Sequence, residues 1–441
     1  MKFSDSNHLK LLVRAFQYRN YRLFFAGQSI SLIGTWTQHV AMSWLVYRLT
    51  GSAFLLGVVA FCNQIPTFFL APFSGVVADR LNRQRLLLWT QTLSMLQALT
   101  LSALVLTDTV RPWQIIALSI FIGMVNAFDI PARQSFVVEM VDKKEDLGNA
   151  IALNSAMFNG ARFIGPSVAG ILISTLGEGI CFLLNGISYV AVLKALAAIK
   201  VRPREGPEGK ARVWQELCEG VAYAYHFKPI MAILSLLAVF SLAGSPYVVL
   251  MPVYVKDVLH GGAQTFGFLM SAAGIGALTS TMYLASRKSV LGLGMVIPIA
   301  AAGCGFGIAA FALSRNFTLS LVFLFMAGFG MMTQIASSNT IVQTIVDEDK
   351  RGRVMSLYAM SLMGMMPFGS LLAGTMAGKI GVQNTLLLGA AFCIIGALVF
   401  AGRLRHLRAL VHPIYVRMGI ISETAPAILT VGKAEVGPKA E

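Results

Sequence analysis

Charged residues are scarce in this chain of 441 residues, where Asp, Glu, Lys and Arg together make up only 12%. A soluble globular protein carries about 25% charged residues. Hydrophobic residues reach 56%, and the mean hydropathy is +0.70. A water-soluble chain of this length could not hide so much apolar surface. The composition therefore predicts an integral membrane protein and excludes fibrous and disordered classes.

The chain also lacks the common signatures of catalysis and metal binding. It contains no G-x-x-x-x-G-K-[ST] phosphate loop, no H-E-x-x-H and no G-x-S-x-G, so neither ATP-driven transport by this chain alone nor a recognisable hydrolase is indicated. Its cysteines stand singly, with no C-x-x-C pair, which argues against a metal site or a disulfide framework. We predict no cofactor, no metal and no enzymatic activity. A polytopic membrane enzyme is the alternative from another class, with Asp129, Arg133 and Glu139 as its nearest acid and base groups.

Apolar runs of membrane-spanning length dominate the rest of the chain, since a bilayer core needs about 20 such residues per helix. Twelve spans are expected, at 23–47, 54–78, 86–107, 112–130, 147–175, 180–199, 229–255, 265–285, 292–314, 317–345, 354–380 and 383–402. The predicted organisation is a leader (1–22), a six-helix bundle (23–200), a linker with an amphipathic surface helix (201–228), a second six-helix bundle (229–402) and a tail (403–441).

An internal repeat supports the division into halves. Gly160, Gly165 and Gly170 align with Gly364, Gly369 and Gly374 at an offset of 204 residues, and Gly51 and Gly57 match Gly261 and Gly267. Such a duplication predicts an all-α membrane protein of 12 transmembrane helices in two pseudo-symmetric bundles. In this architecture the substrate site lies between the halves, near the midplane of the bilayer.

The net charge of +15 comes from 35 Lys and Arg against 20 Asp and Glu, and most of the basic residues fall in loops on one side of the predicted spans. Basic loops stay in the cytoplasm. Both termini are therefore expected inside, with the chain in a bacterial inner membrane. The orientation of the chain in the membrane explains the positive charge, so no nucleic-acid partner is predicted. The basic loops are expected to attract anionic lipid head groups.

The most specific motif stands between the second and third spans. It runs Gly75-Val76-Val77-Ala78-Asp79-Arg80-Leu81-Asn82-Arg83-Gln84-Arg85. This stretch resembles the loop signature of the Major Facilitator Superfamily at Gly75, Asp79, Arg80, Arg83 and Arg85, with Asn82 in place of the usual Gly. The resemblance implies a gate latch, in which Asp79 holds the N-terminus of the eleventh span, near Arg353, when the inner side is closed. The alternative is a basic loop that only sets topology, which would explain the arginines but neither Asp79 nor Gly75.

A second motif lies in the fifth span, from Gly160 through Gly165 and Pro166 to Gly170. It resembles the Gly-Pro element of antiporters and exporters in the superfamily, although helix packing alone could demand the same small residues. Two further segments resemble sequences from one branch of the superfamily, the expected turn at 129–135 after the fourth span and the stretch at 19–24 before the first. This branch contains the enterobactin exporter and related drug and siderophore efflux proteins.

Polar groups inside the spans are the candidates for a substrate cavity, because ionisable residues in a membrane are costly. Arg162, in the fifth span, could bind an anionic or catecholate-like group. It could equally form a structural pair with Asp129 or with amide groups. The other cavity candidates are Gln28, Thr35, Gln38, Asn63, Asn154, Asn159, Gln334 and Ser338.

Taken together, these features predict a secondary active transporter that works by alternating access, and the resemblance implies that it exports small amphipathic molecules, drug-like or siderophore-like. Its expected partners are a small-molecule substrate, membrane lipids and the proton as coupling ion, and it is expected to be a monomer. The proton-coupling candidates are Asp129, His39 and Glu139. An importer or a lipid flippase of the same fold is the alternative within transport.

Overall fold

The computed structural model describes residues 14–200, 222–223, 225–287, 289–348 and 350–421, which are helical with short connections and contain no strand. The predicted linker helix therefore lies almost wholly outside the described residues. The long helices, labelled in chain order, are α1 (Arg19–Thr50), α2 (Ala53–Arg80), α3 (Arg83–Leu106), α4 (Pro112–Glu139), α5 (Lys144–Leu176), α6 (Glu178–Ala198), α7 (Lys228–Asp257), α8 (Ala263–Ala285), α9 (Leu293–Leu313), α10 (Phe317–Ile345), α11 (Arg351–Ile380) and α12 (Val382–Arg417).

Ten of these helices are long and apolar enough to cross a membrane. The exceptions are α1 and α3, although each coincides with a predicted span. Their hydropathy is lowered by polar residues that are buried against other helices, such as Gln28 and Gln38 on α1 and Gln91 and Gln97 on α3. Burial against protein removes the cost of placing these amides in lipid.

Two helices extend beyond the expected spans. The stretch 129–135 was expected to form a turn, and this is wrong, because α4 continues through Pro131 to Glu139. A proline inside a helix removes one backbone hydrogen bond but does not have to end the helix. Helix α12 continues to Arg417 and buries Leu404, Leu407 and Val411 on one face.

Short connections fix the antiparallel order of neighbouring helices. Gly51 ends α1 in the left-handed conformation, with φ of 60°, which glycine adopts without steric cost. The side chain of Ser52 then accepts a hydrogen bond from the Leu55 amide and caps α2. We call this end of the molecule the turn end, and the end where α1 begins and α12 stops the terminal end.

Two helices are interrupted by π-helical segments, Phe240–Gly244 in α7 and Met360–Gly364 in α11. The segments meet, because the Ser241 hydroxyl donates a 2.6 Å hydrogen bond to the Leu362 carbonyl oxygen. Such segments are often found at functional sites. The hydrophobic pattern of the sequence does not reveal them.

The helices pack in two sets that follow the halves of the chain. In the first half, α1 packs on α5 and α6, and α4 packs on α2 and α3; in the second half, α10 packs on α8 and α9, and α9 packs on α12. The main contacts between the halves are those of α2 with α11 and of α5 with α8. The site described next lies where these halves face each other.

Candidate functional site

Arg162 stands where helices from both halves converge. Its guanidinium carbon lies 5.7 Å from the ring centre of Trp36 on α1, and its Nη2 lies 4.0 Å from the sulfur of Met331 on α10. The same charge is close enough to act electrostatically on Tyr247 of α7. Arg162 itself belongs to α5, so side chains of three helices from both halves, α1, α5 and α10, meet here.

No carboxylate pairs with Arg162 among the residues that the structure describes. The alternative that it forms a structural pair with Asp129 is wrong, because Asp129 is bound to Arg133, with 3.2 Å between Oδ2 and Nη2. Arg162 is also only partly buried. Its partners among the described residues are the aromatic face of Trp36 and the thioether of Met331, and both interact only weakly with a guanidinium. The charge is therefore available to an anionic group of a ligand.

Two further rings lie beside Trp36. The ring centre of Trp36 is 5.8 Å from that of Phe158 on α5 and 5.9 Å from that of His39 on α1. Phe158 is 44% exposed, and the His39 side chain is exposed too. A partly accessible aromatic cluster beside a guanidinium suits an amphipathic molecule that carries an acidic group.

The next turns of α10 continue the site in the second half. Gln334, Ser337 and Ser338 are almost completely buried. Neither polar atom of the Gln334 side chain has a hydrogen-bond partner among the described residues, and the same holds for the hydroxyls of Ser337 and Ser338. Buried polar groups are normally satisfied. Gln334 and Ser338 lie one and two turns beyond Met331, so this polar stripe starts beside Arg162.

The cavity candidates on α1 are mostly engaged in contacts inside the first half. The Gln38 amide donates to the Gln97 side-chain oxygen on α3 (2.9 Å) and accepts from Asn185 on α6 (2.8 Å). Gln28 is buried, and Thr35 donates to the Ser31 carbonyl oxygen. Gln97 and Asn185 were not predicted from the sequence, because a hydrogen-bond network that joins three residues on three helices leaves no pattern within any one helix.

The remaining amide candidates lie on α2 and α5. Asn159 is buried and donates a 2.9 Å hydrogen bond to the Ser155 carbonyl oxygen, one turn back on its own helix. Asn63 and Asn154 are partly buried. The structure thus brings Arg162, Trp36 and the α10 stripe together, and it gives these asparagines no direct contact with that cluster.

Asp129 forms a second polar centre within the first half. Its Oδ1 accepts hydrogen bonds from Thr90 (2.8 Å) and Gln91 (2.7 Å) on α3, while Oδ2 faces Arg133. The carboxylate is 3% exposed. It is therefore held inside the bundle by neutral donors as well as by one positive charge, and not at an open helix end.

The terminal-end motif is described only in part. The side chains of Asp79 and Arg80 lie outside the described part of the structure, so the latch between Asp79 and the region of Arg353 stays a prediction. Arg83 forms a 2.6 Å ion pair with Glu139, at the end of α4. The Asn82 side chain caps α3 by accepting from the Arg85 amide at 3.0 Å. Glu139 is thus tied to the motif.

The motif in α5 supports close helix contacts at two of its three glycines. Gly165 lies against Trp36 and the Ile33 carbonyl of α1. Gly170 lies against Gly267 and the Ala263 carbonyl of α8, in the other half. Nothing lies within 4 Å of the position where Gly160 would carry a Cβ, so packing does not explain that glycine.

The glycines that the internal repeat aligns form the two seams between the halves. A Cβ on Gly170 would lie 3.1 Å from the Gly267 Cα, and one on Gly57 would lie 3.1 Å from the Gly374 Cα. The repeat matches Gly57 with Gly267 and Gly170 with Gly374. One seam (α2 with α11) therefore corresponds to the other (α8 with α5), as a pseudo-twofold axis requires.

Both seams lie toward the turn end, where polar contacts also join the halves. The Tyr47 hydroxyl, near the end of α1, donates a 2.6 Å hydrogen bond to Asp257 at the end of α7. The ammonium of Lys256 lies 5.4 Å from the Tyr47 ring centre. Within α5 and α8, Ser167 and Ser271 are joined at 2.6 Å. The turn end is closed by these contacts.

Comparison with known proteins decides the family. A sequence profile described as "Transmembrane secretion effector" matches residues 14–412, which is most of the chain. The chain belongs to this family of the Major Facilitator Superfamily. It is thus a polytopic membrane transporter by family, and the resemblance inferred from the motifs is confirmed.

Relatives with known roles are transport proteins. The chain is 26% identical to the staphyloferrin A transporter of Staphylococcus aureus over 87% of its own length and 96% of that protein. It is 24% identical to the multidrug efflux pump Tap of Mycolicibacterium fortuitum, over 83% and 92% of the two chains. It is 23% identical to the macrolide efflux protein A of Streptococcus pyogenes, over 87% and 96%.

Solved structures show the same fold at lower identity. A bacterial homologue of the human lysosomal transporter Spinster, in an inward-facing and unoccupied conformation, superimposes with a TM-score of 0.69 at 14% identity, over 89% of this chain and 98% of that chain. A bacterial homologue of the iron transporter ferroportin, also inward-facing, gives 0.65 at 17% identity, over 88% and 98%.

Proposed function

We propose that this protein is a proton-coupled exporter of small amphipathic molecules that carry an acidic group, working by alternating access of two six-helix bundles. The observation that carries the proposal is Arg162, a guanidinium at the meeting point of α1, α5 and α10 with no carboxylate partner among the described residues. The family relatives that handle a siderophore, macrolides and multiple drugs support the outward direction and the substrate class.

The substrate site lies between the halves. Arg162 binds the acidic group, since guanidinium and carboxylate or catecholate oxygens form charge-assisted hydrogen bonds. Trp36 and Phe158 contact the apolar part, and the unsatisfied groups of Gln334 and Ser338 bind further polar atoms of the substrate. Because the substrate contacts both halves, its binding shifts the equilibrium between their relative positions.

The conformation described corresponds to the inward-facing state. The glycine seams and the bond between Tyr47 and Asp257 close the turn end, which faces outward if the basic loops are cytoplasmic. Export requires the opposite state, in which these seams separate and the latch of Asp79 closes the terminal end. Twelve spans, inward termini, an inner-membrane location and a monomeric transporter complete this proposal.

Coupling to the proton gradient is assigned to Asp129. A buried carboxylate held by Thr90, Gln91 and Arg133 changes its bonds when it takes up a proton, because the neutral acid no longer pairs with Arg133. Glu139 is less suited to this role, since its ion pair with Arg83 ties it to the terminal-end motif. His39, beside Trp36, is the second candidate.

The test is uptake into inverted membrane vesicles, where export appears as accumulation. A panel of a carboxylate siderophore, a catechol siderophore, a macrolide and a cationic dye is offered with and without an acid interior. We expect gradient-dependent uptake of at least one acidic member. Failure of every member to move under the gradient would contradict proton-coupled export.

The same vesicles test the coupling residue. Asp129→Asn should abolish the dependence on the gradient while leaving substrate binding in place. The matched control is Asp142→Asn, because Asp142 is exposed in the connection between α4 and α5 and should behave like the wild type. Normal gradient dependence in the Asp129 variant would remove this residue from the mechanism.

A further inference from the structure

A groove of about 640 Å³ lies on the outside of the second half, between the first turns of α7 and the last half of α12 at the terminal end. Three basic side chains line it, Lys228, Arg403 and His406, together with Tyr225. The Tyr225 side chain is 71% exposed. The volume is in the range of ligand sites, about 300–1,000 Å³. The groove shares no residue with the site around Arg162.

The length and shape of the groove fit an acyl chain. Its lining on α7 runs from Lys228 to Val239, which is about 16 Å along a helix that rises 1.5 Å per residue. One leaflet of the hydrocarbon core is about 15 Å thick, half of about 30 Å. At the deep end the two helices close together, since a Cβ on Gly396 would lie 3.2 Å from Leu236.

The charged residues of the groove indicate what kind of ligand binds there. Lys228 and Arg403 are exposed, and neither takes part in an ion pair among the described residues; no acidic side chain is among those lining the groove. Tyr side chains favour the level of the lipid head groups. Basic pockets between transmembrane helices bind anionic head groups. The apolar wall below the basic residues includes Met231 and Val399. A free soluble anion would make no favourable contact with this wall, whereas an acyl chain would.

We propose that this groove is a binding site for an anionic glycerophospholipid. Its phosphate binds Lys228 and Arg403, His406 and Tyr225 border the head group, and one acyl chain lies along α7 and α12. The lipid would hold the first turn of α7 to α12, on the side of that helix away from the other half. The inference is independent of which substrate is transported.

The test uses the full-length protein purified in detergent, to which phosphatidylglycerol or phosphatidylcholine is added, and native mass spectrometry to count bound lipids. We expect the wild type to retain phosphatidylglycerol in preference to phosphatidylcholine. Lys228→Gln with Arg403→Gln should weaken phosphatidylglycerol retention about 30-fold, since each basic group near anionic lipid contributes about fivefold. The control is Arg405→Gln with Arg408→Gln, which removes the same charge from α12 outside the groove and should keep the preference.

A second variant tests the acyl slot separately from the charges. Ser235 is exposed and lines the groove, so Ser235→Phe fills the slot without touching the head-group residues. It should also reduce phosphatidylglycerol retention. Equal losses in the groove variant and in the Arg405 control would overturn the proposal in favour of general surface attraction. Equal retention of the two lipids by the wild type, or full retention by Ser235→Phe, would overturn it as well.

Discussion

At the scale of single residues, the charge of Arg162 has the clearest consequence for transport. A hydrogen bond between charged groups contributes about 1.5–3 kcal/mol. Arg162→Gln should therefore weaken transport of acidic substrates about 10- to 100-fold, with neutral substrates affected far less. Arg162→Lys should be intermediate, because it keeps the charge but loses the planar fork that contacts Trp36. The measurement is the ratio of acidic to neutral substrate uptake in each variant, and an equal loss for both substrates would indicate a structural role.

Residue types alone anticipated part of this site. Arg162 was predicted as a cavity residue because an arginine inside a span is rare, and the structure places it between the halves. Met331 and Tyr247 were not anticipated, since an apolar thioether and a phenol carry no distinctive signal in an apolar span. Of the partners of Asp129, only Arg133 stands near it in the sequence, four residues along the same helix. Thr90 and Gln91 belong to another helix, and only the packing of α3 on α4 brings them near.

At the scale of helices, the glycine seams determine whether the turn end can close. A Cβ on Gly374 would lie 2.6 Å from the Ala53 carbonyl oxygen and 2.9 Å from the Gly57 Cα, both backbone atoms. Overpacking of this kind costs about 1–3 kcal/mol. Gly374→Ala should therefore destabilise the closed turn end and slow transport severalfold or more. Gly378 is the matched control, because nothing lies within 4 Å of its Cβ position one turn later, and Gly378→Ala should transport normally. Transport at the wild-type rate in Gly374→Ala would argue against the seam.

Helix positions were largely predictable, since most spans are continuous apolar runs with Gly, Ser or Asn at their ends. The failures have local causes. The stretch 129–135 was expected to be a turn after the fourth span, but α4 continues through Pro131 and buries Ala132 and Phe136. The π-helical segments at 240–244 and 360–364 follow from contacts between α7 and α11, which no pattern within either helix reports.

At the scale of the whole molecule, the repeat was the most informative feature of the sequence. It predicted which glycines correspond, and the structure pairs them as two equivalent seams at one end. In the proposed mechanism, the halves separate at these seams without unpacking of either half. What the sequence did not contain is the present state of the molecule, because a chain that alternates must encode both states with similar free energies.

Alternating access is tested most directly by measuring the motion of the halves relative to each other. In a cysteine-free background, spin labels at Thr109 and Arg315 report the distance across the turn end, and labels at Lys143 and Arg405 report it across the terminal end. Pulsed electron paramagnetic resonance compares the protein with and without an acidic substrate at low and high pH. Alternating access predicts that the turn-end distance lengthens as the terminal-end distance shortens. Distances that stay fixed, or that change in the same direction, would contradict alternating access.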